Sequence, residues 1–367
     1  MADSGRRKDI IRLSLIRGIG PAKADALLSR FGDTGDIFGA GMERLRSLVG
    51  AAPAAALRRE AMSPGETDDY LYGLGKKGIS VLTLEDEEYP ERLRHVYAPP
   101  PVLYVKGRIT AEDNACLAIV GTRVPSAYGA KNAERFAAEL ASRGITVVSG
   151  LARGIDSRAH SSALASGGRT IAVMGTGADM VYPPENRALA EMIEESGALV
   201  SEFPAGTPPD RHNFPMRNRI ISGMSLGVLV IEAGEKSGAL ITARHALEQG
   251  REVFAVPGSI DAVSSRGAHA LIKQGAKLAE AAEDIMEELP VHSGQFQARP
   301  RGEGPDRGAG LGEEERAVYA ALSSGPAHID DIGRQSGMGA AAVSAVLLGM
   351  ECKKLVKQSP GKIFMRR

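Results

Sequence analysis

The residues best suited to chemistry lie between positions 214 and 259. Phe214-Pro215-Met216-Arg217-Asn218-Arg219-Ile220-Ile221 leads into an apolar segment, 226–233, that carries Glu232 near its end. Ser237-Gly238-Ala239-Leu240-Ile241-Thr242 follows, and then a second apolar segment closed by Pro257-Gly258. Arg217, Arg219 and Lys236 thus stand beside two loop–helix junctions that flank one strand. Helix starts present free N–H groups and the positive end of the helix dipole. The expected guest is therefore a polyanion. Pro215 suits the first turn of a helix, which places Arg217, Asn218 and Arg219 in that turn. Cations crowded at a helix start are unfavourable until an anion arrives, so this is the strongest binding signal in the chain.

Other strand ends carry weaker versions of the same signal. Gly121-Thr122-Arg123 follows an apolar run, and Ser126 then opens a helix. A tight turn capped by Ser126 explains the serine, whereas the forked cation of Arg123 points to phosphate. Ser149-Gly150-Leu151-Ala152-Arg153-Gly154-Ile155-Asp156 offers a second anion-cradling turn. In it Ser149, Gly150 and Gly154 form the cradle, and Arg153 and the nearby Arg158 face either phosphate or solvent. Asp156 and His160 stand four apart and can touch on one helix face. They form an acid–base pair or, as we prefer, a cap with a supporting hydrogen bond, because no nucleophile is identifiable beside them.

Gly175-Thr176-Gly177 is a fragment of a dinucleotide fingerprint, but Met180 stands where its third glycine belongs. Tyr182 and Phe214 are candidates to stack on bases, with a sheet-edge cap the alternative for Tyr182. Gly234-Glu235-Lys236-Ser237-Gly238 lacks the spacing of a nucleoside-triphosphate loop. Lys236, Ser237 and Gly238 can still hold one phosphate. Glu232 is expected to orient loop donors rather than to act as a base.

These loops need a frame. Apolar strands recur at 115–120, 145–149, 170–174, 198–202, 226–232 and 252–256, with helical periodicity in most intervals. That alternation predicts a parallel sheet with helices on both faces, and ligands in such sheets bind beyond the carboxyl ends of the strands. The expected organisation is a helical domain over 1–65, an α/β domain over 66–290, a flexible linker over 291–312 and a small winged-helix-like unit over 313–367. The first of these holds Leu15-Ile16-Arg17-Gly18-Ile19-Gly20-Pro21, the outline of a helix-hairpin-helix or SAM-like turn. The last ends in Lys353, Lys354, Lys357, Lys362, Arg366 and Arg367. That run is either a solvated face or a surface for duplex DNA.

Composition narrows the function. The 45 basic and 45 acidic side chains balance, so a polyanion must be met by a local patch rather than by bulk charge. Trp is absent and aromatics are scarce, which argues against a wide stacking platform. Cys116 and Cys352 read as small buried residues rather than a disulfide or metal site. No cofactor and no metal are expected. There is no apolar run of about 18 residues and no signal-peptide pattern, so a cytoplasmic protein without membrane contact is expected.

Several phrases together resemble the DNA-processing protein A (DprA/Smf) family. They are Ile119-Val120-Gly121-Thr122-Arg123; Val148 through Asp156, with Ala159-His160; Phe214 through Ile221; Glu232-Ala233, with Ser237 through Ala243; and Gly250 through Gly258. The resemblance is dense over 79–290 and looser at both ends. It implies an extended Rossmann-like fold without a dinucleotide site, a non-enzymatic homodimer, binding of single-stranded DNA, and loading of the RecA recombinase onto incoming DNA during natural transformation. By position it makes Arg123, Arg217 and Arg219 phosphate ligands. Gly121, Thr122, Ser149, Gly150, Gly154, Ser237 and Gly238 become the cradle around them. Thr122 stands where relatives often carry Ser, a change that keeps the hydroxyl. The rival reading is a Rossmann-like nucleotide phosphoribohydrolase with Glu232 and Asp156 as acid and base, but its Pro-Gly-Gly-x-Gly-Thr loop is absent.

Overall fold

A computed structural model of the chain describes residues 2–289, 311–322, 327–353, 355–359 and 362–366. The chain divides into two compact units, Met1–Arg301 and Gly302–Arg367.

The first unit opens with helices α1 (Ala2–Ser14), α2 (Pro21–Arg30), α3 (Gly35–Gly39), α4 (Met42–Val49) and α5 (Ala51–Glu60). They close on a small core that includes Leu13, Ile16, Leu27, Ile37, Leu45 and Leu57. Gly18, at φ +81°, makes the turn that Pro21 then converts into a helix start. Helix α6 (Pro64–Lys76) begins with a capping box. Glu66 accepts from the Ser63 N–H at 2.7 Å and the Ser63 hydroxyl accepts from the Glu66 N–H at 3.3 Å. These helices share a core with the edge of the sheet. Ile10 and Ile11 of α1 are buried with Leu74, Val81 and Tyr104, residues of α6 and of strands β1 (Ile79–Thr83) and β2 (Val102–Gly107). The short helix α7 (Glu91–Arg94) lies between those two strands in sequence.

The alternation then runs β3 (Cys116–Val120), α8 (Ala127–Ser142), β4 (Thr146–Ser149), α9 (Ile155–Ala165), β5 (Thr170–Val173), α10 (Arg187–Ser196), β6 (Ala198–Ser201), α11 (Asn213–Met224), β7 (Gly227–Val230), α12 (Ala239–Glu248), β8 (Glu252–Ala255), α13 (Arg266–Lys273), β9 (Lys277–Leu278) and α14 (Ala282–Met286). One nine-stranded sheet results, in the order β1-β2-β6-β5-β4-β3-β7-β8-β9. From β6 to β9 every pairing is parallel. The β1–β2 and β2–β6 pairings are antiparallel, so two antiparallel strands extend one edge of the parallel sheet that the alternation predicts.

Period-2 alternation decides which face each helix covers. Cys116, Ala118 and Val120 of β3 pack with Ile220 and Ile221 of α11 and Ala243 and Ala246 of α12. Leu117 and Ile119 pack with Phe136 of α8 and Ile155 and Ala159 of α9. The strand order reverses between β3 and β7, whose following helices, α8 and α12, lie on opposite faces. A crevice must open there, at the carboxyl edge. Cys116 is fully buried, and burial pushes its thiol up to about 12, as suits a small core residue.

The second unit contains α15 (Glu313–Ala321), β10 (Ala327–His328), α16 (Ile329–Ser336), α17 (Ala340–Cys352), β11 (Val356–Ser359) and β12 (Ile363–Arg366). Its strands form a sheet in the order β10-β12-β11, the outline of a winged helix. Val318, Ile332, Val343, Leu347, Met350 and Phe364 fill its core. Leu311 joins that core at 7% exposure, and the Gly312 N–H donates to Glu315 at 3.2 Å. The last two residues of the expected linker thus belong to the folded unit, while most of that linker lies outside the described residues. Lys353 is paired with Glu315 at 2.7 Å. Lys354, Arg367 and the side chains of Cys352, Lys357 and Arg366 lie outside the described residues.

Two glycines should respond oppositely to replacement by alanine. A Cβ on Gly197, just before β6, would fall 1.9 Å from the Thr170 carbonyl oxygen, whereas one on Gly73 within α6 meets nothing within 4 Å. Urea denaturation should show Gly197→Ala losing about 3 kcal/mol and Gly73→Ala gaining up to about 1 kcal/mol.

Candidate functional site

At the reversal of strand order lies a cleft of about 980 Å³. Gly121, Thr122 and Arg123 reach it from the loop after β3, and Lys236, Ser237 and Gly238 from the loop after β7. Phe214, Arg217 and Asn218 come from α11, and Tyr182 from the loop after β5. The segments after six parallel strands, β3 to β8, reach this cleft because every such strand ends on the same edge. Helices α11 and α12 both begin at this edge and turn their positive ends toward it.

The loop connections are built from backbone contacts that leave no room for side chains. A Cβ on Gly121 would lie 3.0 Å from the Glu232 carbonyl oxygen, and one on Gly154 would lie 2.4 Å from that of Thr122. Gly154 also has φ +81°, which only glycine adopts freely. Glu232, 4% exposed, accepts from the Ser126 N–H at 3.1 Å and from its hydroxyl at 2.8 Å. It thereby ties the end of β7 to the start of α8. Ser126 in turn caps α8 by accepting from the Gly129 N–H at 3.1 Å.

The predicted arginines separate. Helix α11 starts at Asn213, so Arg217 and Arg219 sit in its second turn rather than its first. Residues two apart point about 200° away from each other around a helix. Arg217 turns into the sheet edge and is 4% exposed. Its guanidinium donates to the carbonyls of Gly150, at 2.7 Å, and Val173, and to Asn218 Oδ1 at 3.2 Å. Burial pulls Arg217 down to about 10, with the Asp156 carboxylate opposing, so it remains charged at neutral pH. Arg219 leaves the cleft altogether. It donates to the Ala98 carbonyl at 3.0 Å and pairs with Glu202, whose side chain is 6% exposed. Its role is to staple the 95–100 segment onto α11, and it is withdrawn as a phosphate ligand.

The Ser149–Asp156 loop is likewise occupied from within. The Ser149 hydroxyl is buried and donates to the Ile119 carbonyl at 2.6 Å. The N–H groups of Gly150 and Ala152 donate to one Asp156 oxygen at 3.1 and 3.3 Å. Ser149 therefore faces no ligand, and the Gly150 N–H is not free for one. Burial pushes the Asp156 carboxyl up, opposed first by Arg217 and then by its N–H donors. Leu151 adopts φ +56°, and Asn186 Nδ2 holds its carbonyl at 2.8 Å. Arg153 is exposed and ion-paired with Glu185.

His160 does not meet Asp156. Its Nδ1 lies 2.6 Å from the Thr170 hydroxyl, which donates to the Val147 carbonyl at 2.7 Å. Nδ1 must therefore carry the proton, and Nε2 is buried without a partner among the described residues. Burial first, and the Arg217 charge second, pull His160 down to about 3, so it is neutral.

What remains accessible at the rim is coherent. Arg123, Arg211 and Lys236 line the cleft, are exposed, and have no carboxylate within ion-pair distance among the described residues. Tyr182 and Phe214 form a tilted pair with centroids 5.7 Å apart. The Arg123 guanidinium carbon stands 5.9 Å from the Phe214 ring centroid. Arg211 is the residue that sequence reasoning missed. A single cation in a Gly- and Pro-rich loop has no periodicity to mark it. Ile241 and Val263, also unforeseen, add apolar surface to the lining.

Arg217 and Arg123 should differ under mutation. Arg217→Ala strips two strand-end carbonyls of their donor and leaves Asp156 uncompensated, so urea denaturation should show a loss of about 3–5 kcal/mol. Arg123→Ala should stay within about 0.5 kcal/mol of the parent. For His160 the unfolded chain takes a proton near 6.5 and the folded chain only near 3. Stability is then complete above the first value and is lost as pH falls toward the second. Going from pH 7 to 5 should remove about 2 kcal/mol through this residue. In His160→Gln the urea midpoint should be less acid-sensitive by that amount.

Comparison with known proteins identifies relatives of the whole chain and of its fold. A family model described as DNA recombination-mediator protein A matches residues 80–290, and one for the DprA winged helix domain matches residues 303–362. Protein Smf of Synechocystis sp. is 35% identical, across 96% of this chain and 97% of its own length. The X-ray structure of DNA processing protein A from Streptococcus pneumoniae superposes with a TM-score of 0.68 at 34% identity, covering 78% of this chain and 99% of that one. A structure of the Helicobacter pylori protein, described for its single-stranded DNA binding mode, gives 0.51 at 29% identity over 57% of this chain and 94% of that one. With a family model matched over residues 80–290, a terminal-domain model over 303–362 and a full-length relative at 35% identity, the chain belongs to the DNA recombination-mediator protein A family.

Proposed function

We propose that the cleft at the carboxyl edge of the sheet grips the sugar–phosphate backbone of a single DNA strand. The observation that carries this reading is the set of accessible cations, Arg123, Arg211 and Lys236, gathered on one rim without carboxylate partners among the described residues. The starts of α11 and α12 add positive potential to the same rim. Tyr182 and Phe214 offer faces on which an unpaired base can stack. The strand-binding description of the Helicobacter pylori relative supports the same choice of ligand. Phosphate contacts carry no base information, so sequence preference is weak.

In this reading the protein acts in the cytoplasm as a mediator that delivers the strand to the RecA recombinase during uptake of transforming DNA. The recombinase and a homodimeric assembly follow from the family resemblance. Duplex binding by the terminal unit rests instead on its winged-helix outline and the basic run at its end. The hydrolase alternative needs Glu232 and Asp156 as free acid and base. Both are buried and engaged by backbone N–H groups, which favours binding over catalysis.

Titration of a labelled oligothymidine at several salt concentrations tests the reading. Arg123→Ala and Lys236→Ala should each weaken binding and lower the log–log salt slope by about 0.7. Parental affinity and slope in both folded variants would sink it. Release of free base from nucleoside monophosphates, lost in Glu232→Gln, would establish the hydrolase instead.

A further inference from the structure

A second groove, of about 870 Å³, runs along the outer side of α9 between α8 and the loop before α10. It meets the cleft at a single shared residue, Arg123, which lines both. The crest between them is the Thr122–Arg123 backbone, held against Gly154 so closely that a Cβ there would touch it. Ser157 and Ser161 stand one helical turn apart in the groove, and the Ser161 hydroxyl has no partner among the described residues.

Both carboxylates that line the groove are ion-paired: Glu134 with Arg158, which also lines it, and Glu185 with Arg153, which lines the adjoining space beside Tyr182 and Phe214. All four side chains are about half exposed or more. Exposed pairs of this kind add little to stability, so either arginine can exchange its carboxylate for another anion at small cost. A phosphate offers the same forked geometry to a guanidinium with a stronger charge-assisted bond. Arg123, poised over both spaces, supplies the bridging cation.

We propose that a strand held in the cleft continues over Arg123 into this groove, where Arg158 releases Glu134 and takes a phosphate, while Arg153, beside Tyr182 and Arg123, releases Glu185 and takes another. The two carboxylates then act as a latch that keeps the groove neutral until a strand long enough to cross the crest arrives. This rests on the cleft reading above and adds to it the path of the strand and a dependence on its length.

Two oligothymidines, of about five and about fifteen nucleotides, separate the two spaces. The short one reads the cleft alone. Arg158→Ala should weaken the long one several-fold and lower its log–log salt slope by about 0.7, while Glu134→Gln should tighten it. The short oligonucleotide should bind both variants as it binds the parent. If the long oligonucleotide keeps parental affinity and slope in both variants while the short one still binds, the groove is empty and only the cleft reading survives. If neither oligonucleotide binds the parent, the cleft reading fails and this proposal falls with it.

Discussion

The arrangement turns on the Arg217 guanidinium, buried against the carboxyl ends of β4 and β5. Parallel strands leave their last carbonyls at one edge with no further strand residue to pair them. Arg217 answers two of these at once, those of Gly150 and Val173, from a helix on one face of the sheet. Asp156, from a helix on the other face, gathers the N–H groups of Gly150 and Ala152. A charge placed this deep is costly unless its partners are fixed. The same partners set the floor of the cleft and the angle at which the neighbouring loops leave it.

The cations consequently fall into two groups. Arg217 and Arg219 are internal fasteners, one under the cleft and one behind it. Arg123, Arg211 and Lys236 stand above that floor without an ion-pair partner among the described residues. The division explains how a chain of zero formal net charge can still present a polyanion with a positive rim. Glu232 completes the division. A carboxylate at the strand end of a Rossmann-like sheet can do chemistry, yet here it is used to fasten the loop that carries Ser126.

Much of the frame was legible in the sequence. The strands from β3 to β8 are short, mostly apolar runs, as suits strands buried on both faces, and they fall within a residue or two of expectation. Their order is what makes the loops after β3 and β7 neighbours, and that order follows from crossovers the pattern does not show. The direction in which a helical residue points was the other hidden quantity. Arg217 and Arg219 read as a pair because they are close in the chain, but helical geometry sends one into the sheet and the other behind it. Asp156 and His160 met the helical criterion for contact, yet each found a better partner on a loop or strand. Two-residue β9 and the seating of α1 on the sheet edge left no sequence signal, since both depend on contacts from distant segments.

Leu311 bears on how the chain can be divided. The Gly- and Pro-rich stretch before it invites a cut anywhere up to the first acidic helix, yet this leucine is packed inside the terminal domain. A fragment beginning at Glu313 would lack a plug of core and the backbone donor that Gly312 gives to Glu315. An excised terminal domain retains its hydrophobic filling only when its boundary is drawn upstream of Leu311.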